Sequence, residues 1–131
     1  LLFEESEESW RGEVERGLGI LPGKVVRFPD GMTDAQGRPL KIPHIGWNAL
    51  RFPRPDALFE GVEEGAHVYF VHSFYPVPAN EEVVTAVSDY GVWFCCAVQW
   101  RNVRAVQFHP EKSGAIGLRI LRNFAERDAN G

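Results

Sequence analysis

Four runs of β-branched and aromatic residues crowd into residues 66–108, and the way they are joined leaves little choice of topology. Ala66–Val71, Val83–Val87, Val92–Val98 and Val103–Phe108 each read as a strand. Asp89-Tyr90-Gly91 separates the second run from the third, and Trp100-Arg101-Asn102 separates the third from the fourth. Connections this short join antiparallel neighbours, because a parallel return needs a crossover of about a dozen residues or more. After Glu111 the period changes. Ile116, Ile120, Leu121 and Phe124 recur at helical spacing, with Arg119, Arg122, Glu126 and Arg127 available for the solvent face. Ser113 is placed to cap that helix, and Asp128–Gly131 ends it.

The first half is less regular. Leu1 to about Trp10 reads as a helix end with an acidic outer face, broken by Gly17-Leu18-Gly19. Gly23–Phe28 reads as a short strand, and Pro29–Pro43 as a loop rich in Gly, Pro and Asp. Ile42–Asn48 looks too irregular for a regular element. Pro53–Gly65 is a connection with a short helix expected at Asp56–Phe59. His72-Ser73 leads into a loop containing Pro76 and Pro78. No internal repeat or low-complexity tract interrupts the chain.

At 131 residues and 44% hydrophobic, the chain can bury a core and fits one domain or most of one. Its formal charge of −4 argues against a nucleic-acid partner. The charge is uneven. Residues 1–15 hold six Glu against one Arg, and residues 99–127 hold six Lys/Arg against two Glu. Two differently solvated faces would account for this, as would a basic end facing an anionic substrate or acidic partner. No apolar run approaches membrane-span length, and no signal-peptide pattern is present, so no membrane partner is expected. Adjacent Cys95 and Cys96 make no disulfide framework and fit a reduced, cytoplasmic home. The chain starts at Leu1, and its only methionine is Met32. With Leu1–Glu5 read as the middle of a helix, we expect a fragment cut just after an important element.

Chemistry concentrates in Phe108-His109-Pro110-Glu111-Lys112-Ser113. In an extended segment residues two apart project from one side. Pro110 fixes its own φ and pushes His109 out of the helical region. His109 and Glu111 then suit a general base and its orienting acid, at a strand-to-helix junction. The competing interpretation is a strand-end His beside a Glu favoured by the helix dipole. A base of this kind serves a nucleophile, and no obvious one lies in the chain. Cys95 and Cys96 sit mid-strand without the Gly-x-Cys-x-Gly elbow that exposes a thiol, so they are expected to be packing residues. Val71-His72-Ser73-Phe74 leaves another strand end, where backbone amides can bind a carboxylate or amine, or where His72 simply caps the strand. Pro43-His44-Ile45-Gly46-Trp47-Asn48 reads as a surface recognition element, or else Trp47 covers the core edge. The spacing of His44, His67, His72 and His109 matches no metal-ligand pattern, and no metal or other cofactor is expected.

These segments resemble the class I (triad) glutamine amidotransferases. Gln107–Ser113 is shared by several of them. Pro43–Asn48 is more specific, and is similar to the amidotransferase subunit of imidazole glycerol phosphate synthase, an enzyme of histidine biosynthesis. Leu1–Glu8, Gly17–Val25 and Tyr69–Ser73 match in the same order. The resemblance implies an α/β, flavodoxin-like class I amidotransferase domain, with a mixed sheet whose second half is antiparallel. Residues 1–131 would be its C-terminal part, the N-terminal part being missing.

It further implies a Cys-His-Glu triad with His109 as base, Glu111 as its partner, and the nucleophilic Cys missing upstream of Leu1. The fragment alone would then be inactive. Main-chain groups of His72, Ser73 and Phe74 would hold the backbone moiety of the substrate L-glutamine. Trp47, Asn48, Tyr69 and Lys112 would face a (β/α)₈-barrel cyclase in a heterodimer. The loop Pro29–Pro39 and the pair Cys95-Cys96 depart from the family pattern. Another class I amidotransferase, a non-catalytic amidotransferase-like binding domain, and a structural protein whose His109–Glu111 merely closes a helix are the alternatives.

Overall fold

The computed structural model describes residues 3–6, 15–16, 21–101 and 103–129. They form a mixed α/β arrangement of three sheets and one long helix. Strands β1 (Phe3–Ser6), β2 (Glu15–Arg16), β3 (Leu21–Arg27) and β6 (Phe74–Pro78) make a sheet in the order β2-β1-β3-β6. Strands β4 (His44–Ala49) and β5 (His67–His72) form an antiparallel pair. Strands β7 (Val84–Asp89), β8 (Trp93–Trp100) and β9 (Val103–Val106) form an antiparallel meander. Helix α1 (Gly114–Ala129) closes the chain.

The antiparallel second half agrees with the short connections read from the sequence, and β1 with β3 supplies the parallel pairing. Four local expectations need correction. Phe3–Ser6 is a strand, not a helix. A lone turn of helix is marginal in water, and the edge of β3 offers a ladder instead. Ile42–Asn48 contains strand β4 despite Gly46 at its centre. Its inward positions carry His44 and Asn48 rather than aliphatic residues, so alternation is hidden, yet both find buried partners in His72 and Ser88. The segment with Pro76 and Pro78 is strand β6, which tolerates proline because it lies at a sheet edge. On α1, Leu121 and Phe124 face solvent, together with Leu118. The inward side is taken by Ile116, Gly117, Ile120 and Asn123, whose smaller or polar members let the helix approach closely. The expected break at Gly17–Gly19 lies outside the described residues, as do Asn130 and Gly131.

The core gathers where the sheets and the helix meet. Phe28, Leu50, Val68, Phe70, Phe94, Cys96 and Ile120 are each at most 2% exposed. Residues 94–98 of β8 are buried without a break, because both faces of that strand are covered. Phe94 and Cys96 join the main cluster, while Cys95 and Val98 pack with Val83 on the other face. Hydrogen bonds stitch the layers together. Asn48 Nδ2 donates to Ser88 Oγ at 2.8 Å and to the Asp89 carbonyl at 2.7 Å, and Ser88 Oγ donates to the Ala49 carbonyl at 2.6 Å. Arg104 makes a bidentate pair with Asp56 at 3.0 and 3.1 Å, with side chains only 13% and 7% exposed. Asp56 also caps the short 3₁₀ turn Ala57–Phe59, close to where a short helix was expected. Among the described residues, no helix is long and apolar enough to cross a membrane.

His44 is 2% exposed, and burial first, then the neighbouring His72, push its imidazole down to about 4 from an ordinary 6.5. Between about pH 6.5 and 4 the unfolded chain therefore binds a proton that the folded chain refuses. The stability due to this group is fully present above that window and is lost as pH falls through it. Urea unfolding should show stability dropping from pH 7 to pH 4, with His44 contributing on the order of 3 kcal/mol. His44→Phe should flatten that slope, and an unchanged slope would show that His44 titrates normally in the fold.

Candidate active site

The segment after β9 runs between two sheets. Gln107 N–H donates to the Cys96 carbonyl of β8 at 2.7 Å, and His109 N–H donates to the Tyr69 carbonyl of β5 at 2.9 Å. Phe108 turns inward between them, 3% exposed and edge-on to Phe70 at 5.9 Å. Pro110 then starts a 3₁₀ turn, Pro110–Lys112, with His109 extended at the N-cap position (φ −100°, ψ 97°). His109 and Glu111 therefore do not alternate along a strand as expected. The turn brings them together all the same, with His109 Nδ1 to Glu111 Oε1 at 2.8 Å.

The electrostatics fix the direction of that contact. The Glu111 backbone N–H, and then the His109 imidazole, hold the Glu111 carboxyl below its ordinary value. Glu111 is thus an acceptor at neutral pH, and the proton between the two groups belongs to His109 Nδ1. When the ring carries only that proton, its lone pair is left on Nε2. Among the described residues nothing hydrogen-bonds to Nε2, and the side chain is 38% exposed. A base with its back nitrogen held by a carboxylate and its front nitrogen open can accept a proton from a nucleophile.

Three contacts hold this turn. Ser113 is 1% exposed, and although it precedes α1 as expected of a cap, its hydroxyl bonds β5 and His109 rather than the first turn of the helix. Its Oγ accepts from Tyr69 N–H at 3.0 Å and donates to the His109 carbonyl at 2.6 Å, while its own carbonyl accepts the first helical bond from Gly117 N–H at 3.1 Å. Gly114 adopts φ +60°, the left-handed turn that lets α1 leave the 3₁₀ segment. Gly117 lies directly against the turn, where an added Cβ would overlap the Pro110 carbonyl oxygen.

Of the other residues singled out in the sequence, His72 is 7% exposed, with its ring Nδ1 2.9 Å from the Phe74 carbonyl and Nε2 3.0 Å from His44 Nδ1. Burial lowers its pKa first, the Phe74 carbonyl opposes this, and His109 lowers it again, which places the two imidazoles in electrostatic reach. Ser73 and Phe74 are partly exposed, with the Ser73 carbonyl accepting from Phe28 N–H at 3.0 Å. Trp47 is 53% exposed and pairs across the ladder with Tyr69, ring centroids 5.8 Å apart. Ile45, 59% exposed, pairs with Val71, 40% exposed, on the same face. Lys112 is also exposed, on the turn that packs against β5. Asn48 is not on that face, since its carboxamide points inward to Ser88 and Asp89.

Cys95 and Cys96 are buried and unpaired, as expected of packing residues. Burial pushes the Cys95 thiol up to about 12 and raises Cys96 well above its ordinary value, so neither supplies a thiolate. Sequence reasoning did not find the roles of Ser113 or His44. The alternation of His44 with Ile45 and Trp47 was the available signal for the latter, once β4 is accepted as a strand.

The profile of the family described as glutamine amidotransferase class-I matches residues 17–127, and the chain belongs to that family. Within it, the chain is similar to proteins named imidazole glycerol phosphate synthase subunit HisH. It is 54% identical over 126 residues to that of Syntrophotalea carbinolica, covering 96% of this chain and 59% of the relative. It is 58% identical over 124 residues to that of Geobacillus thermodenitrificans, covering 95% and 55%. The chain thus spans a little over half the length of the curated relatives it matches. A crystal structure described as a GMP synthase subunit from Thermoplasma acidophilum shares the fold. Its TM-score is 0.57 at 20% identity, over 82% of this chain and 52% of that one.

Replacing Gly by Ala inside a helix ordinarily stabilises by about 1 kcal/mol. At Gly117 the sign should reverse, because the new methyl meets main chain rather than open space. Gly117→Ala should lose about 1–3 kcal/mol in urea unfolding. A more stable variant would show that α1 does not press on the Pro110 turn.

Proposed function

We propose that residues 1–131 are the C-terminal part of a single glutamine amidotransferase domain. Its parent is the glutaminase subunit that supplies ammonia to a cyclase making imidazole glycerol phosphate and AICAR in histidine biosynthesis. The observation that carries this reading is the 2.8 Å contact between His109 Nδ1 and Glu111 Oε1, with Nε2 left open. The similarity to the HisH subunits supports the choice of pathway.

In this reading a cysteine upstream of Leu1 is the nucleophile. His109 Nε2 takes the thiol proton, and the sulfur attacks the side-chain carbonyl carbon of L-glutamine. The resulting imidazolium, held by Glu111, returns the proton to the departing nitrogen, so that ammonia leaves and a glutamyl thioester remains. Water then adds, with His109 again as base, and glutamate and the thiol are released. Main-chain groups at His72, Ser73 and Phe74 hold the amino-acid end of glutamine. The exposed face of Trp47 and Tyr69, with Ile45, Val71 and Lys112 beside them, seats a (β/α)₈-barrel cyclase in a heterodimer. Asn48 acts from behind, tying β4 to the β7–β8 turn. The unpaired Cys95 and Cys96 fit a cytoplasmic location.

The test is glutamate release by the full-length parent with its partner bound. His109→Ala should lower kcat by about 10³-fold or more, and Glu111→Gln by a smaller factor. A His109→Ala enzyme with undiminished kcat would refute the assignment. Trp47→Ala should weaken binding to the cyclase by about 2 kcal/mol or more by calorimetry. Unaltered affinity would place the docking face elsewhere.

A further inference from the structure

His44 and His72 form a buried pair that the chemistry of His109 leaves unused. They sit opposite each other in the ladder between β4 and β5. The Phe74 carbonyl can only accept, so its 2.9 Å contact assigns a proton to His72 Nδ1. His72 Nε2 then carries a lone pair, and the 3.0 Å contact assigns the His44 proton to Nδ1. A one-way chain results, from His44 Nδ1–H to His72 Nε2, and from His72 Nδ1–H to the Phe74 carbonyl. Aromatic rings wall it in. His44 is stacked on Tyr90 at 3.8 Å and on Phe70 at 5.1 Å, and Phe28 and Phe94 each lie 5.1 Å from His72. Burial keeps both imidazoles neutral, which the chain requires.

The chain ends on the bend at Ser73 and Phe74. Its last acceptor is the Phe74 carbonyl, and the Ser73 carbonyl beside it is already taken by Phe28 N–H. With both carbonyls engaged, the peptide planes of the bend are fixed. Two apolar residues would pack in this aromatic box without a hydrogen-bond requirement, but they would leave the Phe74 carbonyl without the donor that fixes it.

We propose that His44 is a positioning residue for glutamine, acting through His72 to fix the Ser73–Phe74 bend whose main chain receives the amino-acid end of the substrate. This rests on the glutaminase reading and adds to it a residue from a separate strand. The test uses the full-length protein with its partner. His44→Phe keeps the ring and its stacking but removes the donor, while His44→Asn returns a donor near the place of Nδ1. KM for glutamine should rise about tenfold or more in His44→Phe, with kcat within about threefold of wild type, and His44→Asn should recover most of the loss. Nitrogen-15 resonances of the wild-type imidazoles, which need no variant, should show His72 protonated at Nδ1. A wild-type KM in His44→Phe, a fall in kcat at unchanged KM, or a His72 proton on Nε2 would each overturn the inference alone. A wild-type protein that releases no glutamate would overturn the glutaminase reading, and this inference with it.

Discussion

Both main-chain groups of Tyr69 point at the turn that carries His109, and the rest of the site is hung from them. The Tyr69 carbonyl takes the His109 N–H, and the Tyr69 N–H is taken by Ser113 Oγ, which in turn donates to the His109 carbonyl. Each bond alone contributes about 1 kcal/mol to stability. Their value here is geometric. They define the start of the 3₁₀ turn relative to β5, and Pro110 leaves that turn few alternatives. The His109–Glu111 contact is a consequence, since two residues two apart on such a turn meet when the turn itself cannot relax.

The same strand serves two faces. Along β5, Val68, Phe70 and His72 point into the aromatic core, and Tyr69 and Val71 point outward beside Trp47 and Ile45. The outer face is the docking surface under the proposed function, and the inner face holds the imidazole pair next to the Ser73–Phe74 bend. Under that proposal the docking face and the substrate bend lie on or next to β5, and the base is tied to the same strand through the Tyr69 carbonyl. The 3₁₀ turn Ala57–Phe59 is braced from two sides, by the Arg104–Asp56 pair and by Asn123 Nδ2, which donates to the Leu58 and Glu60 carbonyls at 2.9 and 2.8 Å. That bracing holds α1 over the turn that carries His109, where Gly117 gives it room.

Much of the second half was legible in the sequence because its signals are local. β5, β7, β8 and β9 are dense in β-branched and aromatic residues, their turns are short, and α1 announces itself by period. What stayed hidden depends on partners distant in sequence. β4 looks irregular because its inward side chains are His44 and Asn48, whose burial makes sense only beside His72 and Ser88. β6 looks like a loop because proline usually ends a strand, and only its edge position permits it. The α1 stripe was read by hydrophobicity, whereas the contact face was chosen by size and hydrogen bonding at Gly117 and Asn123. His109 and Glu111 were found as a pair but for a different backbone, since a 3₁₀ turn and a strand can both bring residues two apart together. Ser113 was read as a cap because its clasp on Tyr69 spans two elements.

The central claim is that the pair His109–Glu111 serves a thiol other than Cys95 and Cys96. Labelling the full-length protein with an electrophilic glutamine analogue, followed by mass spectrometry of the modified peptide, tests it directly. The account predicts a label on a cysteine preceding Leu1, formed more slowly when His109 is replaced. A label on Cys95 or Cys96, or a labelling rate indifferent to His109, would contradict it.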